Sequence, residues 1–131
     1  MDYIHRDMEK VVLQASGEYP VLIVTGPRQV GKTTMLKKLM EGTDRSYVTL
    51  DDLNERALAQ REPEMFFQLH QPPLLIDEVQ YAPQLFTYIK IISDREQRAG
   101  DFWLTGSQTF SLMKLATSLS SRRSKCDAAG I

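Results

Sequence analysis

Cysteine and histidine are scarce in this chain. One cysteine, Cys126, and two histidines, His5 and His70, occur among the 131 residues. A single cysteine excludes an internal disulfide, and these three residues lack the paired spacing of a structural zinc site. The sequence therefore favours a reducing compartment and excludes the small disulfide-stabilised classes.

Long apolar runs are also missing. The longest aliphatic run covers residues 21–24, far short of the roughly 18 needed to span a bilayer. The first ten residues alternate charged and bulky side chains and contain no apolar core of a signal peptide. We therefore expect a cytoplasmic protein with no membrane partner.

An excess of one charge is the third absence. Sixteen Lys and Arg balance seventeen Asp and Glu, for a net charge of -1. The whole chain thus has no electrostatic footprint for nucleic acid or an anionic membrane, so a DNA or protein partner is not supported by net charge. With 42% apolar and 25% charged residues, the composition and length predict one ordinary globular domain.

Short apolar runs alternate with stretches of helical periodicity, a pattern typical of an α/β fold with three layers and a mainly parallel sheet. The predicted strands cover residues 21–25, 47–50, 74–76 and 102–105. The predicted helices cover residues 6–15, 31–41 and 83–98, with two short helices after Asp51 or Asp52 and after Pro63. The second short helix is predicted to bury Met65, Phe66 and Leu69.

A glycine-rich segment follows the first strand and opens a helix. Its letters, GPRQVGKT, match the phosphate-binding pattern G-x-x-x-x-G-K-[ST]. Backbone N–H groups and the positive end of the helix dipole then surround a phosphate, while Lys32 reaches its oxygens and the Thr33 hydroxyl binds Mg²⁺. The predicted nucleotide-binding residues are Gly26, Pro27, Arg28, Gln29, Val30, Gly31, Lys32, Thr33 and Thr34.

Two carboxylates end the aliphatic strand at residues 74–76, in the manner of a Walker B element. Asp77 is suited to hold Mg²⁺ opposite Thr33, and Glu78 to orient or deprotonate a water that attacks the γ-phosphate. The alternative is that Asp77 only caps the following turn. The pair also favours ATP, because Asp77 is not followed by the D-x-x-G glycine of GTPases, and residues 124–127 are a poor match to a guanine-binding motif.

Polar residues also follow the last predicted strand. Because the ends of parallel strands lie along one edge of a sheet, Thr105 or Ser107 would sense the γ-phosphate or hold the attacking water. The equally weighted alternative is that Ser107 caps a helix after the Gly106 turn.

Four segments together resemble a known family. GPRQVGKTT, YVTLDDLNERALA, PPLLIDEVQYAPQLFTYIK and FWLTGSQ look like the N-terminal ATPase domain of bacterial and archaeal AAA-type ATP-binding proteins that carry a C-terminal domain of unknown function. The resemblance covers roughly residues 3–117. It implies that the first strand lies between the fourth and a fifth, that residues 105–107 form a sensor region, and that residues 3–6 lie near adenine.

The sequence departs from this family after residue 117. We expect residues 1–117 to form the ATPase core and residues 118–131 a disordered tail, because no apolar run there suits the fifth strand. On this interpretation the copy is truncated, and the first strand becomes a sheet edge with unpaired backbone N–H and C=O groups. Copies of the chain would then associate through this edge or through the ATPase face. Arginine-finger candidates are then Arg28, Arg122 and Arg123, so hydrolysis would be weak.

Three functions remain open from the sequence. The leading one is Mg²⁺-dependent ATP binding with weak hydrolysis, in which Glu78, Lys32, Thr105 and Ser107 serve catalysis and Thr33 and Asp77 hold the metal. The second is a binding module whose affinity for a protein or DNA partner depends on the nucleotide. A small-molecule kinase ranks last, because residues 83–117 offer few arginines for a lid over an acceptor.

Overall fold

A computed structural model describes residues 2–25, 31–106 and 124–128, with side chains placed in 8–25 and 31–106. The elements in chain order are α1 (Asp2–Ser16), β1 (Val21–Thr25), α2 (Lys32–Leu39), β2 (Ser46–Thr49), α3 (Leu53–Arg61), α4 (Pro63–Leu69), β3 (Leu74–Asp77), a 3₁₀ turn (Val79–Tyr81), α5 (Leu85–Glu96), β4 (Phe102–Gly106) and β5 (Ser124–Ala128). In this part of the chain, no helix has both the length and the apolar character needed to cross a bilayer.

The five strands form one parallel sheet in the order β2-β3-β4-β1-β5. The predicted α/β class is therefore confirmed. The four strands expected from the sequence are present, with ends shifted by at most one residue. The order that the family resemblance implied, with β1 between β4 and a fifth strand, is also the observed order.

The fifth strand, expected to be missing, is present. β5 pairs with β1 in parallel, from Val21 opposite Ser124 to Thr25 opposite Ala128. The assignment of residues 124–128 to a disordered tail is therefore wrong, while 118–123 and 129–131 lie outside the described residues. Sheet pairing uses backbone N–H and C=O groups, which a polar sequence supplies as well as an apolar one.

This strand changes the environment of β1. β1 is hydrogen-bonded to β4 on one side and to β5 on the other. The prediction that β1 forms an unpaired sheet edge is therefore wrong. Association of copies through that edge loses its physical basis.

Both faces of the sheet are covered, and β1 illustrates how. Val21 and Ile23 belong to the core formed with α3, α4 and α5, whereas Leu22 and Val24 belong to the core formed with α1 and α2. Successive strand residues point to opposite faces, so an uninterrupted aliphatic run fills two cores at once. The result is the predicted three-layer arrangement.

The predicted burial in helix α4 is confirmed for Phe66 and wrong for Met65 and Leu69. Phe66 and Phe67 are 0% and 7% exposed, whereas Met65 and Leu69 are 45% and 64% exposed. The two rings meet edge to face at 5.4 Å, and Phe67 packs in the same way on Phe102 at 5.8 Å. Adjacent aromatic rings bury more apolar area than the Met65–Leu69 stripe would, so they set the orientation of this short helix.

Candidate functional site

The polar residues that follow the strands meet at one edge of the sheet. Thr49, at the end of β2, lies opposite Asp77, at the end of β3. Ile76 pairs with Leu104, which brings Thr105 on β4 alongside Asp77. Since α2 begins shortly after β1 at this edge, four elements contribute to a single site.

Asp77 is the centre of this site and is surrounded by hydroxyl groups. Its Oδ1 accepts hydrogen bonds from the hydroxyls of Thr33, at 2.6 Å, and Thr105, at 2.5 Å. Its Oδ2 accepts from Thr49, at 3.0 Å, and more weakly from Tyr47, at 3.4 Å. The carboxylate is 6% exposed, and four neutral donors satisfy it in place of a cationic side chain.

This environment changes the pKa of the Tyr47 phenol. Burial raises the pKa of its phenol above the ordinary value, and the neighbouring negative charge of Asp77 adds to the effect. The Lys37 ammonium lies 4.4 Å from the centre of the Tyr47 ring. Tyr47 therefore remains a neutral hydrogen-bond donor to Asp77 at physiological pH.

Glu78 is held in an unusual backbone conformation. Its φ and ψ angles are 59° and 49°, in the left-handed region that non-glycine residues seldom adopt. Its N–H donates to the Thr105 hydroxyl at 3.2 Å, and its side-chain Oε1 accepts from Gln80 Nε2 at 2.8 Å. The residue is only 4% exposed. Thr105 on β4 therefore holds its backbone, and Gln80 in the same turn holds its carboxylate.

Helix α2 begins at a glycine in the left-handed region. Gly31 has φ 73°, and its carbonyl accepts the first helical hydrogen bond, from Met35 N at 3.0 Å. A glycine adopts this conformation without a Cβ penalty, which explains the second glycine of the phosphate-binding pattern. Lys32 follows with 4% of its surface exposed, and Thr34 is exposed on the same helix.

The site contains a third carboxylate. Asp51, Asp77 and Glu78 each place an oxygen within 4.8 Å of the others. Among the described residues, no Lys, Arg or His forms an ion pair with Asp77. Carboxylate and hydroxyl oxygens are the ligands that suit Mg²⁺. The oxygen atoms of Thr33 and Asp77 are therefore of the chemical type that would suit a magnesium ion.

Several of the predicted site residues meet here. Thr33, Asp77, Glu78 and Thr105 are joined by direct hydrogen bonds. The alternative in which Asp77 only caps the following turn does not account for these contacts, and the 3₁₀ turn there has Glu78 at its N-cap with no side-chain cap hydrogen bond. Predicted residues that lie outside the described part of the chain are Gly26, Pro27, Arg28, Gln29, Val30 and Ser107, together with Arg122 and Arg123.

Four contributors were missed by the sequence analysis: Tyr47, Thr49, Asp51 and Gln80. The first three lie on or just after β2, and only the strand order reveals that β2 neighbours β3. A strand-end position was the available signal for Thr49 and Asp51. Gln80 carried no signal, because its contact depends on the local turn after Glu78.

Comparison with known proteins identifies the fold that carries this site. Residues 18–130 match the AAA domain family. The chain belongs to this family. The AAA domain also resembles the crystal structure of the DnaC helicase loader, with a TM-score of 0.54 and 16% identity, over 95% of this chain and 88% of that one. This likeness shows that the two chains share a fold.

Two mycobacterial proteins are similar to this AAA domain in sequence. They are the uncharacterized proteins Mb2031c of Mycobacterium bovis and Rv2008c of Mycobacterium tuberculosis, each 30% identical over 128 residues. The matches cover 96% of this chain and 29% of each relative. The chain therefore spans less than a third of the length of these relatives. Membership of the AAA domain family indicates nucleotide binding.

Proposed function

We propose that this AAA domain binds ATP with Mg²⁺ and hydrolyses it. The observation that carries the proposal is the 2.6 Å hydrogen bond between Thr33, at the start of α2, and Asp77, at the end of β3. This hydrogen bond connects the end of the glycine-rich segment directly to the carboxylate at the end of β3. A phosphate held at the start of α2 would lie beside this pair.

The roles divide among the residues by chemistry and position. Gly31 and the preceding residues 26–30, except Pro27, which has no N–H, would bind phosphate through backbone N–H groups. Lys32 would place its ammonium against the β- and γ-phosphates. Thr33 and Asp77 would hold the metal. Magnesium bound there supplies positive charge against the phosphate oxygens. Thr105 would orient Asp77 and the backbone of Glu78, since its hydroxyl donates to the Asp77 carboxylate and accepts from the Glu78 N–H.

Glu78 is the proposed general base. A water oxygen attacks the γ-phosphorus, the bond from that phosphorus to the bridging oxygen breaks, and ADP leaves with the electron pair. The Glu78 carboxylate accepts the proton released by the water, and the products are ADP and inorganic phosphate. A carboxylate fixed by its backbone and by a neighbouring amide is pre-oriented for this task.

Binding and turnover of ATP by substituted chains test this function. We expect wild-type protein to bind radiolabelled ATP in Mg²⁺ and to lose affinity in EDTA. Lys32→Ala should lower ATP affinity at least tenfold, because a charged phosphate ligand is removed. Lys38→Ala, which removes an exposed lysine from the same helix, is the matched control and should bind normally.

Phosphate release is measured on the same preparations. Glu78→Gln keeps the size of the side chain, so ATP binding should persist while turnover falls about 10²- to 10⁴-fold. Glu64→Gln alters an exposed glutamate on α4 and controls for the loss of one negative charge. Affinity that is indifferent to magnesium and to Lys32 would exclude the proposed function, and unchanged turnover in Glu78→Gln would remove Glu78 from its role.

A further inference from the structure

Gln80 contacts the proposed general base directly. Its Nε2 donates to Glu78 Oε1 at 2.8 Å. Both residues belong to the turn that follows β3, and Glu78 enters this turn through its left-handed backbone conformation. The turn therefore brings a neutral donor onto the carboxylate from a position two residues further along the chain.

The orientation of the Gln80 amide is set by this one contact. Its NH₂ group must face the carboxylate, because the opposite orientation would place a carbonyl oxygen against a negative oxygen. Within the described part of the chain, the buried Gln80 Oε1 has no hydrogen-bond partner. The amide thus meets no second polar group there that would draw it away from Glu78.

Helix α3 supports the turn that carries Gln80. Gln60 Nε2 donates to the Tyr81 carbonyl at 2.6 Å, and the Arg56 guanidinium stacks 3.7 Å from the centre of the Tyr81 ring. Arg56 Nε also donates to the Leu50 carbonyl at 2.8 Å, which connects the same helix to the end of β2. The residue next to Gln80 is therefore anchored, and the reach of the Gln80 side chain is restricted.

We propose that Gln80 is a positioning residue that holds the Glu78 carboxylate in place for ATP hydrolysis, through the Gln80 Nε2–Glu78 Oε1 hydrogen bond. The inference rests on the proposed function of Glu78 as general base. A general base must keep its oxygen within hydrogen-bond reach of the attacking water, and a small misplacement of a reacting group lowers the rate strongly. Gln80 acts on the rate and makes no contribution to nucleotide affinity.

The test is a double-mutant cycle on the full chain. Gln80→Met keeps the length of the side chain and removes the N–H donor. We expect it to lower kcat for ATP about 10- to 100-fold and to leave the dissociation constant for ATP within twofold of wild type. Gln68→Met, on the exposed surface of α4, is the matched control and should leave both unchanged.

The second arm combines the substitution with Glu78→Gln. If Gln80 acts through Glu78, the double variant should be no slower than Glu78→Gln alone, measured as labelled phosphate release in a single turnover. A further loss in the double variant, an unchanged or increased kcat in Gln80→Met, or a parallel loss of ATP affinity would each overturn the proposal.

The two proposals fail in different ways. Absence of magnesium-dependent ATP binding in the wild type overturns both. Binding without turnover in the wild type overturns the positioning role and leaves nucleotide binding intact. Normal wild-type turnover that depends on Glu78 and is indifferent to Gln80 overturns the positioning role alone.

Discussion

At the scale of single residues, Asp77 illustrates what the sequence predicts and what it leaves open. Its pairing with Thr33 follows from two motifs whose positions in a parallel α/β sheet are predictable. Its bonds to Thr49 and Tyr47 do not follow, because they require knowledge that β2 lies beside β3. Local patterns thus specify the chemistry of the centre, and strand order specifies its surroundings.

Tyr47 should make stability depend on alkaline pH. Its pKa is raised from the ordinary 10.0 by burial and by Asp77, so the folded state retains the proton to higher pH than the unfolded chain. The resulting contribution to the free energy of unfolding is fully present below pH 10 and is lost as pH rises through the pKa of the folded state.

Tyr47→Phe lacks this titration. The difference in unfolding free energy between wild type and variant should be constant from neutral pH to the ordinary tyrosine pKa, and above it should shift in favour of the variant. Urea unfolding at a series of pH values measures it. A difference that stays constant into the alkaline range would contradict the raised pKa.

At the scale of elements, the helices and the four apolar strands were predictable because their periodicity and breakers are strong local signals. Two predictions failed where a contact distant in sequence decides the outcome. β5 forms through backbone pairing with β1. The polar sequence of residues 124–128 does not predict this strand. In α4, packing of Phe67 on Phe102 selects the buried face, although Met65 and Leu69 have the conventional spacing.

The orientation of α4 can be tested by alanine substitution. Phe66→Ala should lower the free energy of unfolding by about 3 to 5 kcal/mol, because a fully buried ring is replaced by a cavity. Leu69→Ala on the exposed side should cost less than about 1 kcal/mol. Denaturant midpoints of both variants, with Met65→Ala as a second exposed control, measure the difference. Equal losses at Phe66 and Leu69 would contradict the exposed position of Leu69.

At the scale of the whole molecule, the family resemblance contributed what local patterns did not, namely the position of β1 inside the sheet. Without pairing information the sequence predicts a truncated sheet, because residues 118–131 are polar and contain no apolar run. Pairing along the full length of β1 outweighs that polarity. Polar composition is therefore a weak argument against a strand when an unpaired neighbour is available.

The position of β1 has a consequence for the route by which the chain folds. Both strands that pair with β1 come much later in the sequence, since Val21 lies opposite Phe102 and Ser124. Closing such long loops is entropically costly and slows folding. The strand that leads into the glycine-rich segment thus acquires its partners only after distant parts of the polypeptide have been brought together, and we expect nucleotide affinity to be among the last properties to emerge during refolding.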